Sequence, residues 1–84
     1  MNALKAARKL IDQAPASDSA RTLARMVVSL ETMEPFELGR LYALDRDAFR
    51  LALDVLAEWR SGKSATGIAR LFNLAAEVNR MSLS

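Results

Sequence analysis

The stretch EWRSGKSATGIARLF, residues 58–72, decides how the chain is read. Gly62-Lys63-Ser64 are the last three letters of a phosphate-binding loop, and they stand in front of a helical pattern. A phosphate loop also needs a glycine five residues before Gly62, because its backbone must wrap the β-phosphate, and a β-strand must feed it. Ala57 holds that position, inside a helical pattern. The alternative accounts for every letter. Gly62 suits the left-handed residue that closes a helix. Lys63 suits the negative end of that helix, and Ser64 suits the cap of the next. The stretch therefore predicts a joint between two helices, and no nucleotide or other cofactor is expected.

Working outward, apolar residues recur at helical spacing along the chain, and strand-like alternation is missing. Leu4, Ala7, Leu10 and Ile11 mark a first helix over 2–13, stopped by Pro15. A second helix is capped at Asp18 or Ser19 and runs to about Thr32, with Leu23, Met26, Val27, Leu30 and Met33 along its stripe. A third, over 35–44, starts at Pro35 and contains Gly39, which would let a neighbour approach closely. Asp45 caps a fourth over 46–60, where Phe49, Leu53, Leu56 and Trp59 share a stripe and Leu51, Ala52 and Val55 widen it. Apolar residues on more than one face predict that this helix is central. Arg50 and Asp54, four apart, are placed to pair. A fifth helix covers 65–80, with Ile68, Leu71, Phe72, Ala75 and Val78 inward. The expected fold is all-α: one domain over 1–84, a bundle of four or five short helices, with 1–13 a candidate detachable helix.

Composition narrows the chemistry. The 84 residues include no cysteine and no histidine. Thiolate nucleophiles, disulfides and cysteine-ligated zinc are thereby excluded, and so are the commonest general base and metal ligand. The carboxylate pairs Asp45/Asp47 and Glu34/Glu37 fall at expected helix starts, where capping explains them. No run of alternating oxygen ligands resembles a calcium loop. Catalysis, a metal and a small-molecule substrate are not expected. No apolar run reaches the ~20 residues that span a bilayer. The amphipathic, basic N-terminal stretch lacks the apolar core of a secretory signal, and Asp12 and Asp18 count against a transit peptide, so a cytoplasmic location is expected.

Charge is unevenly spread. Residues 1–30 carry a balance of +3, residues 31–59 one of −4, and residues 60–84 one of +3. Such a pattern suits a steered partner or neutralisation between packed helices. Much of the 51% hydrophobic content is alanine, which favours helix but fills little volume. A small core is an argument for burying further surface in a protein partner or a second copy. Trp59 and Tyr42 are the candidate anchors, with Met26 and Met33 as adaptable contacts. The favoured expectation is a non-enzymatic protein-binding or regulatory module.

One resemblance supports an alternative. The turn followed by SATGIARLFNL, residues 64–74, resembles the first part of the helix-turn-helix DNA readers of recombinases and repressors. The resemblance implies Ala69 as the packing alanine, Asn73 as the turn residue, and AAEVNRM, residues 75–81, as a recognition helix. Asn79 and Arg80 would then face base edges, with Lys63 and Arg70 as further DNA-binding residues within 58–81. The 68-71-72-75-78 spacing equally fits one continuous amphipathic helix, and the sequence leaves the two open.

Overall fold

The computed structural model describes residues 2–62 and 65–83, the last three by backbone alone. Five helices and no strand occur among them: α1 (Ala3–Gln13), α2 (Asp18–Thr32), α3 (Gly39–Tyr42), α4 (Arg46–Ser61) and α5 (Ala65–Leu83). The all-α expectation holds.

Helices α1, α2 and α4 are closed by chemistry local to them, with one exception. Asn2 accepts from the Lys5 amide at 3.0 Å and caps α1. The Ala3 amide, also unpaired within the helix, donates instead to Oε1 of Glu58 on α4 at 2.6 Å. A carboxylate from a helix 55 residues away thus completes the start of α1, where the helix dipole favours negative charge. Helix α2 is capped by Ser17, whose Oγ accepts from the Ala20 amide at 3.1 Å and donates to the Ala14 carbonyl at 2.8 Å. The cap therefore falls one residue before the expected Asp18 or Ser19, because Ser17 also ties back the turn after α1. Asp45 caps α4 as expected, accepting from the Ala48 amide at 2.8 Å. Gly62 ends α4 at φ 64°, and its amide donates to the Trp59 carbonyl.

The region 33–45 departs most from expectation. Helix 35–44 shrinks to the four residues of α3, and Pro35 lies in irregular chain. Its N-terminal residue, Leu38, offers no capping side chain, and glycine at the start raises the entropic cost. Gly39 makes no close approach: a Cβ there would meet nothing within 4 Å. Helix α2 ends at Met33, which adopts φ 63° and is the described non-glycine residue with a left-handed backbone.

The interior is apolar throughout the described residues, with no buried polar side chain. Seven of its sixteen buried residues are alanines, among them Ala7, Ala20, Ala24 and Ala52 at full burial. Leu4, Ile11, Leu23, Val27, Val55, Leu71 and Val78 supply the volume. Helix α5 packs most extensively on α2 and then on α1. Helix α1 is the element that meets three long neighbours, α2, α4 and α5, so the first helix is docked and takes the central place expected of 46–60. Helix α4 buries only the narrow stripe Ala48, Ala52 and Val55, while Leu53 is 43% exposed and Phe49, Leu56 and Trp59 are half-buried. Its wider apolar surface packs only at the margin of the core, with Leu56 beside Met26 and Leu30 of α2. Arg50 and Asp54 do pair, at 3.8 Å and in exposed positions, where such a contact stabilises little.

Two stability effects are expected. Glu58→Ala leaves the Ala3 amide unpaired and should cost about 1–3 kcal/mol, read as a lower midpoint in thermal unfolding followed by circular dichroism. Met33→Gly removes a left-handed penalty of about 1–2 kcal/mol against a glycine entropy cost of about 0.5–1 kcal/mol. It should therefore raise the midpoint by a few degrees.

Candidate interaction surfaces

The four expected protein-contact residues separate. Met26 is only 3% exposed and belongs to the interior, because α2 turns that face toward the core. Trp59 is half-buried against the core. Met33 and Tyr42 are 88% and 83% exposed, and the Tyr42 ring stacks on Phe49 with centroids 6.0 Å apart. Leu38, at 70%, completes a run of three large exposed apolar side chains within residues 33–42.

Leu38 of that run lines a groove of about 160 Å³ between the end of α2, the 34–38 segment, α3 and α4. Met26, Leu30, Phe36, Leu38, Leu41 and Leu56 line it, and Ser29 and Glu34 form its polar edge. Phe36, Leu38 and Leu41 were not candidates from sequence, since a continuous helix over 35–44 hides the fact that the chain peels away from the core here. The surrounding segment 31–59 is the acidic one, and Glu31, Glu34 and Glu37 are all exposed.

The expected DNA-contact residues separate as well. Residues 65–83 form one helix through Asn73, which lacks the positive φ of a turn. The helix-turn-helix arrangement is therefore absent: Leu71, Ala75 and Val78 hold the helix continuous by burying one stripe across the proposed break. Arg70 faces α1, in a groove with Lys5 and Arg8. Asn79 and Arg80 face α2, in a groove with Arg25. Lys63 and Ser64 lie outside the described residues.

No metal centre is assembled among the described residues. No cluster of three potential metal ligands is present there. Asp45, Asp47, Glu34 and Glu37 are all exposed, and Asp45 is engaged as a cap. No helix is long and apolar enough to cross a membrane. Comparison with protein families, curated proteins and solved structures returns no match to this chain. The surfaces must therefore be judged on their own physics.

Helix α4, not a strand, leads into Gly62, and that glycine closes the helix. Addition of magnesium ATP at about 1 mM, a concentration that would stabilise a binder of micromolar affinity by several kcal/mol, should leave the unfolding midpoint unchanged in a calorimetric scan.

Proposed function

We propose that the protein is a non-enzymatic binding module whose apolar groove between α2, α3 and α4 receives a segment of another protein. The observation that carries this reading is the apolar groove itself, with Leu38 largely exposed on its lip and Met33 and Tyr42 exposed in the same 33–42 segment. Single exposed apolar residues are ordinary, but several in one short segment that also lines an apolar groove point to an interaction site. Met33 adds a second argument, since a bulky apolar residue held both in solvent and in a left-handed backbone is disfavoured twice over.

The partner this surface fits is an amphipathic segment with one or two large apolar side chains and flanking lysines or arginines. The groove accommodates little more than a side chain or two, so the interface is shallow and extends over Tyr42. The acidic balance of residues 31–59 favours positive flanks and would speed encounter more than it adds affinity. A helix laid into a groove in this way anchors through residues at i, i+3 or i+4.

The test is capture from native cytosol after nuclease treatment, with the wild-type chain and a Met33→Glu, Leu38→Glu variant compared by quantitative mass spectrometry. Both positions are exposed, so the variant should fold. A nuclease-resistant protein held by the wild type should fall at least tenfold with the variant. Equal recovery by both would remove this groove from consideration.

A further inference from the structure

A second surface, on another side of the molecule, carries an inference independent of the apolar groove. Helix α5 has one exposed stripe. At 100° per residue, Thr66, Ala69, Asn73 and Glu77 fall along it, with Arg80 at its border toward α2, and all five are exposed. The stripe is narrow and mostly short-chained. On one side of it, grooves between α5 and α1 collect Lys5, Arg8, Lys9 and Arg70. On the other side, a groove between α5 and α2 holds Arg25 and Arg80, and a second, formed by α2 and the α3 region and reaching Asn79 of α5, adds Arg21 and Arg40. The individual grooves have volumes of about 280–440 Å³.

These eight cations come from four helices, and the packing of α1 beside α5 unites the two basic ends of the chain. The carboxylates nearby are fewer: Asp12 in the first set of grooves, Asp18 and Glu34 in the second, and Glu77 on the stripe itself. None of the eight cations forms an ion pair among the described residues, where the pair found is Arg50–Asp54 on α4. Neutralisation between packed helices therefore does not explain them.

We propose that α5 and its two flanking cation rows form a docking surface for double-stranded DNA, with the exposed stripe of α5 entering the major groove. The dimensions agree. A helix with its side chains is about 10–12 Å across. The major groove is about 12 Å wide and bounded on both sides by phosphate strands. Cations on both sides of one helix are placed to meet both strands. A single acidic helix would meet only one row. Six of the eight cations are arginines, whose planar forks match phosphate oxygens. Ala69 and Thr66 allow close approach, and Asn73 projects where adenine edges are read. This arrangement needs no turn at Asn73 and draws most of its charge from α1, α2 and α3.

The test is fluorescence anisotropy with a labelled, mixed-sequence DNA duplex of about 20 base pairs, titrated between 50 and 200 mM salt. The logarithm of the association constant should fall against the logarithm of salt with a slope of about −4 to −7. Arg25→Ala and Arg8→Ala, from opposite rows, should each reduce that slope by about one. Ala69→Trp changes no charge but raises a wall on the stripe, and should weaken binding about tenfold or more with the far-ultraviolet spectrum unchanged. Met33→Glu, Leu38→Glu should bind the duplex as the wild type does, which separates this surface from the apolar groove. No binding at 50 mM salt overturns the proposal. So does an unaltered affinity in Ala69→Trp, and so does equal or tighter binding to polyglutamate or to the single strand of the same length.

Discussion

Burial of one stripe on α1 is the constraint from which the rest of the structure follows. Leu4, Ala7 and Ile11 have almost no contact with solvent, because α2, α4 and α5 close over them from three directions. The helix carrying them is only eleven residues long, too short to persist alone in water. Its stability is borrowed from its neighbours, and theirs from it. The Glu58 carboxylate at the Ala3 amide reinforces the same junction, since it holds the end of α4 against the beginning of α1.

That arrangement sets the distribution of charge. With α1 at the centre and α5 alongside, the positive ends of the chain lie together, and the negative middle forms α3, α4 and their connections elsewhere. Arg40 is the exception, since it reaches back toward α2. The two proposed surfaces are thus chemically opposite. One is acidic and apolar, and fits a basic protein segment. The other is basic and polar, and fits a polyanion. A module with both would bring a protein partner to nucleic acid.

Much of the helical pattern was legible because each long helix announces its own ends. Pro15, Asp45 and Gly62 act through their own backbone or side chain, and their effects need no tertiary knowledge. The continuous stripe Leu71, Ala75 and Val78 was legible too, although the helix-turn-helix resemblance competed with it until packing favoured one helix. What was not legible is relational. The shortness of α3 reflects a missing cap and a glycine in a segment with little to pack on. Met26 and Met33 share a sequence stripe, yet one is interior and the other exposed, because α2 ends at Thr32 and Met33 turns out of it in a left-handed backbone. The meeting of Arg25 with Arg80 across a groove depends on how α2 and α5 dock, which no periodicity encodes.

The alanines of the interior carry a last consequence. Where Ala7, Ala20, Ala24 and Ala52 are wholly enclosed, each backbone takes up space that longer side chains fill in other bundles. Adding even one methylene to such a contact has nowhere to go without forcing rods apart, and trimming the alanine to glycine gives up about 0.5–1 kcal/mol of helix preference. The centre is therefore held in both directions, and variation over time should be channelled toward the periphery, where the two proposed surfaces lie.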